Sequence, residues 1–158
     1  RKCPSITKFQ RCWKCTPCNI LCGLGGAGGL SDGKLNLKPD VGGNLEEFVS
    51  KDEAKNLVTM IDNVFLEHGA NPKLYGEDSH ELEAKAAAAG IEFIPIPQRH
   101  IGSDKLPDVV NSIKNYLESK GCMFSLNTEV KEIKKDGNFK IILANGDIIE
   151  SRFIGMHR

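Results

Sequence analysis

Cysteines are the residues with the most chemical potential in this sequence, and five of the six lie within the first 22 positions. Four of them follow the pattern Cys12-x2-Cys15-x2-Cys18-x3-Cys22. Neighbours this close rarely form unstrained disulfides, and a secreted disulfide scaffold would spread its cysteines along the chain. The clustering therefore predicts thiols in a reducing, cytoplasmic setting.

Two interpretations of this cysteine cluster stay open. In the first, Cys12, Cys15, Cys18 and Cys22 bind a metal, because their spacing is the ligand spacing of bacterial iron–sulfur proteins, except that Gly23 replaces the usual proline. Four cysteines also satisfy tetrahedral zinc. In the second interpretation, the thiols are free and line a loop near a redox cofactor.

A segment rich in glycine, with the sequence GLGGAGG over 23–29, follows the cysteines directly. Gly23-x-Gly25-x-x-Gly28 matches the dinucleotide fingerprint, but an apolar strand before it and a periodic helix after it are missing from the pattern. We therefore do not interpret it as a Rossmann loop. The backbone amides are suited to a nest that contacts an anionic or planar ligand, and a surface loop without a ligand is the alternative.

Helical periodicity predicts the elements that must position these residues. Helices are expected over 50–69, 79–89 and 103–120, the first with a capping box from Ser50 to Glu53. A second capping box, from Asp78 to Glu81, opens the middle helix. The apolar stripes of the helices indicate a buried core rather than a cofactor site.

Short strands and hairpin turns dominate the rest of the chain. The two prolines within 91–97 limit that segment to an edge strand or an extended connection. The predicted strands cover 123–126, 128–133, 139–144 and 147–154, with hairpin turns at 136–138 and 145–146. No helical or strand period is visible over 1–43, which indicates a loop region.

Composition limits the function classes. The chain has 158 residues, and its 21 Lys and Arg balance 21 Asp and Glu, so it lacks the basic excess of a non-specific nucleic-acid binder. An apolar run near the length of a membrane span is absent from the sequence, and so is a signal-peptide pattern. We expect neither a nucleic-acid nor a membrane partner.

Several segments together resemble a known family. The stretch CNILCGLGGAGGLSDGKL, from Cys18 to Leu35, resembles the signature loop of the uncharacterised FAD-dependent dehydrogenases, NAD(FAD)-utilising flavoproteins with a glutathione-reductase-like FAD fold. Residues 99–106 (RHIGSDKL) resemble the family's His-Ile-Gly-Thr-Asp-Lys-Leu motif, with Ser103 in place of Thr. Residues 65–70 resemble a helix end of the family, and 121–133 resemble its strand pair leading to the adenine site.

The resemblance implies an FAD-dependent oxidoreductase that passes electrons between an unknown substrate and FAD. It implies that the glycine loop approaches the pyrophosphate or the isoalloxazine, and that Val130 binds the adenine edge through its backbone. A lysine near flavin N1 would stabilise an anionic reduced flavin, and Lys34 is the candidate, although an ordinary solvated lysine is the favoured interpretation. The implied cofactor-binding residues are Gly25, Gly26, Ala27, Gly28, Ser31, Asp32, Lys34 and Val130. No catalytic residue is assigned. For His100 we favour a loop histidine that bonds the helix start over an active-site acid or base.

The family's pyrophosphate-binding βαβ unit does not match any part of this sequence, so we expect an internal fragment of a longer flavoprotein that is inactive alone. The predicted fold class is α/β, or α+β as a fragment: a partial FAD/NAD(P)-binding fold with a helical insertion and a small β-meander. The expected parts are a flavin-side loop region over 1–43, a helical insertion over 44–97 and part of the FAD domain over 98–158.

Overall fold

The computed structural model combines helices with small antiparallel sheets. It describes residues 11, 12, 14–16, 18, 21, 23–26, 33–77 and 79–155. The elements described include three α-helices and two three-stranded sheets, a mixture compatible with the predicted α+β class. Among the described helices, none is long and apolar enough to cross a membrane.

The chain divides into two compact units, with the boundary after Gly121. The first unit contains all three described α-helices and one sheet, and the second contains the other sheet. This boundary lies inside the segment 98–158, which the sequence analysis predicts to be one part of the FAD domain.

The first helix, α1, spans Lys51–Glu67 and confirms the helix predicted over 50–69. The Ser50 hydroxyl accepts a hydrogen bond from the Glu53 amide at 3.3 Å, as the capping-box pattern predicts. At the other end, the Ala70 amide donates to the Phe65 carbonyl at 2.9 Å and closes the last turn. Local sequence therefore determines both ends of this helix.

The second helix, α2, spans His80–Ala88 and has no buried residue. Ser79 precedes it, but its hydroxyl donates to the carboxylate of Glu83 instead of accepting a backbone amide. The predicted cap at Asp78 lies outside the described residues. The helix is thus held mainly by its own hydrogen bonds and alanine-rich propensity.

The third helix, α3, spans Leu106–Ser119 and begins three residues later than predicted. Residues 103–105 form a turn, and the Leu106 amide donates to the Gly102 carbonyl at 3.0 Å. Pro107 occupies the first helical turn. Backbone amides there have no intrahelical acceptor, so the amide that proline lacks costs no hydrogen bond. The first residue of α3 is therefore hydrogen-bonded to Gly102, the glycine that ends the RHIG segment.

The core of the first unit lies between α1, α3 and the segment that enters α3. Ala70, Ile101, Leu106 and Val109 are buried together. Partly buried side chains that pack against them are Leu35, Phe65, Val110 and Ile113. The stripe predicted for α3 is thus a core face.

The first sheet contains strands β1 (Lys34–Asn36), β2 (Leu74–Tyr75) and β3 (Gln98–His100), in the antiparallel order β1-β3-β2. The prediction of no strand within 1–43 is wrong, because β1 is too short to show a period. Residues 91–97 form the predicted extended connection and not an edge strand. Pairing begins immediately after the second proline, because proline has no amide to donate to the ladder.

The second unit is a meander of β4 (Val130–Asp136), β5 (Asn138–Leu143) and β6 (Ile148–Ser151). Both predicted hairpin turns are confirmed, and Gly137 and Gly146 have positive φ angles of 71° and 92°. The strand predicted over 123–126 is wrong, since a turn at 126–127 precedes the first pairing. Every residue of β4 is exposed.

Candidate functional site

Two segments that the resemblance singles out meet in the first unit at a contact between glycines. The amides of Ile101 and Gly102 both donate to the Gly33 carbonyl, at 2.8 and 3.2 Å. Gly33 has a φ of +60°, and a Cβ there would lie 2.6 Å from the Gly102 carbonyl carbon. No side chain fits at this position without moving backbone, so glycine is required for the contact.

The described part of the glycine loop lies against α3. A Cβ at Gly25 would lie 3.4 Å from a methyl group of Val110, which is ordinary packing contact. Among the described residues, apart from the chain neighbours, no heavy atom lies within 4 Å of a Cβ built at Gly23 or Gly26. The Gly26 amide donates to the Gly23 carbonyl at 3.2 Å, which makes a tight turn. Within 23–26, the contact with α3 is thus made at Gly25.

Lys34 and His100 are brought together by strand pairing. They are direct cross-strand partners in the β1–β3 pair, and both are exposed. Directly opposite residues of an antiparallel pair project from the same face of the sheet. The sequence analysis selected Lys34 and placed His100 in a loop, whereas His100 is the last residue of β3. Their pairing depends on register between distant segments and has no local sequence signal.

A buried ion pair fixes β3 to α1. The Arg99 guanidinium binds the Asp62 carboxylate through Nε and Nη2, the latter to Oδ2 at 2.7 Å, and Nη1 donates to the Pro72 carbonyl. The hydrogen bonds and charge of Asp62 hold the pKa of Arg99 above its ordinary value against the effect of desolvation, and Glu77 adds to this. The sequence analysis did not predict this ion pair. Arg99 lies between two polar residues, Gln98 and His100, and nothing in that pattern indicates burial.

Val130 lies in the second unit as the first residue of β4, opposite Leu143. The pairing register shifts between Val130 and Glu132, so a β-bulge bends the strand near its first residue. The Val130 side chain is about half exposed, at 48%. Other implied cofactor-binding residues lie outside the described residues: Ala27, Gly28, Ser31 and Asp32.

The cysteine cluster is described in part. Cys12 is exposed, Cys15 and Cys18 are partly buried, and all three are free thiols. The Lys14 amide donates to the Cys12 sulfur at 3.4 Å, and Lys14 has a positive φ of 49°. Cys22 lies outside the residues that the structure describes. Within the described residues, no group of three His, Cys, Asp or Glu side chains could hold a metal ion.

Together the fold and this site define an α+β chain with a glycine-lined contact at the start of one helix. Comparison of the sequence with protein-family models and curated proteins, and of the structure with solved structures, finds no match. The site must therefore be judged from its own geometry and chemistry.

Proposed function

We propose that this chain is part of an FAD-dependent oxidoreductase that passes electrons between a substrate and FAD. The observation that carries the proposal is the contact between Gly33 and Gly102. It joins the end of the stretch Cys18–Leu35 to the RHIGSDKL segment at the start of α3. These are the two most specific segments of the resemblance. Binding of one cofactor by both would explain why they lie in contact.

The described loop is compatible with a planar, anionic cofactor. No described atom crowds a Cβ position at Gly23 or Gly26, so main chain there can approach a ligand closely. The exposed Lys34 directly follows Gly33 in the same stretch of the resemblance. When bound, FAD would supply the redox chemistry, and the protein supplies position, charge and exclusion of water. The proposed contacts in the first unit are Gly25, Gly26, Ala27, Gly28, Ser31, Asp32 and Lys34. For the second unit, considered by itself, the backbone of Val130 is proposed to bind the adenine edge.

The test uses the full-length polypeptide that contains these residues, purified gently and examined by absorption spectroscopy. We expect a yellow protein with flavin bands and about one FAD per chain. We also expect Gly26→Val to reduce flavin occupancy, because a branched side chain would fill the open side of the loop. A colourless, flavin-free protein would contradict the proposal.

Gly42→Val is the matched control for this experiment. Gly42 also has a positive φ, +87° against +54° at Gly26, and it likewise has open space at its Cβ position. Both variants therefore introduce similar backbone strain at an uncrowded site. Equal loss of flavin in the two variants would show that strain, and not contact with the cofactor, is responsible.

A metal centre on Cys12, Cys15, Cys18 and Cys22 is the second candidate function. The bond from the Lys14 amide to the Cys12 sulfur favours it, because hydrogen bonds to the ligating sulfurs are a feature of iron–sulfur sites. Protein prepared without oxygen should contain stoichiometric zinc, or iron with sulfide, by elemental analysis. Cys15→Ser should remove it, and Cys122→Ser, at the exposed cysteine of the second unit, should not. Metal-free protein would remove this candidate.

A further inference from the structure

The turn between β5 and β6 contains the one Asn-Gly pair of the sequence, Asn145 and Gly146. The Gly146 amide donates to the Leu143 carbonyl at 3.0 Å, and the Leu143 amide donates to the Asp147 carbonyl at 2.9 Å. Gly146 has a φ of +92°, so the turn over 143–146 ends on a left-handed glycine, a common closure of hairpins. Asn145 and Gly146 are both exposed, so water reaches the two residues.

The Asn-Gly pair has a chemistry of its own, because asparagine is thermolabile and the following glycine has no Cβ to hinder attack on the side chain. The backbone nitrogen of Gly146 attacks Cγ of Asn145, a C–N bond forms, and the bond from Cγ to Nδ2 breaks. Nδ2 leaves as ammonia with the proton of the Gly146 nitrogen, and a succinimide ring remains. The pair can therefore lose an amide without an enzyme.

Asp147 holds the reacting side chain by two hydrogen bonds. The Asp147 amide donates to Oδ1 of Asn145 at 3.1 Å, and Nδ2 of Asn145 donates to the Asp147 carboxylate at 2.7 Å. Ring closure releases Nδ2 and removes the proton that Gly146 donates to Leu143, so it breaks a bond at each atom. The negative charge of Asp147 also disfavours the anionic nitrogen that attacks. The Asp147 side chain is therefore placed to slow the reaction.

We propose that Asn145 is a site of spontaneous deamidation and that Asp147, as a positioning residue, sets its rate. Water opens the succinimide at one of its two carbonyl carbons and gives aspartate or isoaspartate. Either product replaces the donor Nδ2 by a carboxylate beside Asp147, so repulsion between like charges replaces a hydrogen bond. Isoaspartate also lengthens the main chain at a turn that fixes strand register. The modification therefore weakens the β5–β6 hairpin.

The experiment follows the whole chain during incubation at neutral and at mildly alkaline pH. Trypsin, which cleaves after Lys140 and Arg152, releases a peptide with Asn145 as its single asparagine. We expect mass spectrometry to show conversion of an amide to an acid in this peptide. Conversion should be faster at alkaline pH, because the attacking nitrogen must lose its proton. Amide hydrogen exchange over 148–151 should be faster in the converted chain, and equal exchange would contradict the effect on the hairpin.

Asn138 is the control within the same chain, because it is exposed beside the other hairpin turn and is followed by Phe139 instead of glycine. It should convert several times more slowly than Asn145. Conversion at Asn145 that is no faster than at Asn138 would overturn the site. This inference concerns the second unit by itself and does not rest on the proposed flavin function, so the flavin content of the full-length protein has no bearing on it.

The role of Asp147 is tested by Asp147→Ala, which should accelerate conversion at Asn145 several-fold. Asp136→Ala, at the other hairpin turn, is the matched control and should leave that rate unchanged. In urea, where the hydrogen bonds of the turn are lost, Asp147→Ala and the unaltered chain should convert at nearly the same rate. Asp147→Asn, which keeps an acceptor oxygen and removes the charge, provides the same test where Asp147→Ala fails to fold. No acceleration in the folded variants, or an equal acceleration in urea, would overturn this role.

Discussion

Among single residues, Asp62 and Arg99 carry the largest expected effect on stability. Each side chain is about one-tenth exposed, and the pair is bidentate. Removal of one partner from a buried pair leaves the other charge desolvated and unpaired, which costs about 3–5 kcal/mol. We expect Asp62→Ala to lower the free energy of unfolding by about this amount in urea titrations.

Two further variants distinguish loss of the buried ion pair from a general disruption of the fold. Glu81→Ala breaks the exposed Lys85 pair and should change stability by no more than about 0.5 kcal/mol. The double variant Asp62→Leu with Arg99→Met replaces both charges by apolar groups and should be more stable than Asp62→Ala alone. A double variant as unstable as the single one would show that the guanidinium bond to Pro72, or packing, dominates instead.

The pH dependence of the Arg99 contribution follows from the direction of its shift. Bonding to Asp62 raises the pKa of Arg99 above its unfolded value. The stabilisation is then fully present below the unfolded pKa and is lost only as pH rises through the still higher folded value. The stability difference between the unaltered chain and Arg99→Met should therefore stay constant from neutral to mildly alkaline pH. A decline across that interval would contradict the assignment.

Gly33 is the second sensitive residue. Gly33→Ala places a Cβ 2.6 Å from backbone carbon in a left-handed conformation, so strain and overlap together should cost about 2–5 kcal/mol. The measurement is chemical unfolding beside Gly43→Ala, since Gly43 lacks positive φ and has open space at its Cβ. Nearly equal stability of the two variants would show that Gly33 and Gly102 do not touch in solution.

At the scale of elements, α1 offers a direct test of local sequence control. The Ser50 hydroxyl caps the Glu53 amide, and loss of such a cap costs about 1 kcal/mol. Ser50→Ala should lower the unfolding free energy by that amount, and Ser103→Ala, at an exposed turn position before α3, should have a smaller effect. A smaller loss for Ser50→Ala than for Ser103→Ala would contradict the cap.

The elements also show how much of the fold is predictable from the sequence. The amphipathic patterns of α1 and α3, and both glycine turns of the meander, locate those elements to within a few residues. Strands of two or three residues, such as β1 and β2, carry too little pattern to be recognised. The sequence analysis selects the glycines and Lys34 as site residues, but it cannot find partners such as His100 that only tertiary register supplies.

For the whole molecule, the division after Gly121 is the main architectural fact. Residues 121–123 are exposed and lie outside helices and strands, with Met123 94% accessible. Connections of this kind are preferred sites of proteolytic cleavage. Limited trypsin or chymotrypsin digestion should first cut between Lys120 and β4, which mass spectrometry of the fragments would locate. A first cut within α1 or within the meander would contradict the division.

The exposure of β4 has a consequence for how the chain behaves in a crowded solution. Five of its seven residues are charged, with Lys131, Lys134 and Lys135 interspersed by Glu132 and Asp136. A strand at the border of a sheet offers backbone groups to any passing strand, and lysines there deter such pairing through the penalty of desolvating charge. Protection against aggregation on this side is therefore encoded in side-chain charge and should weaken where salt screens it.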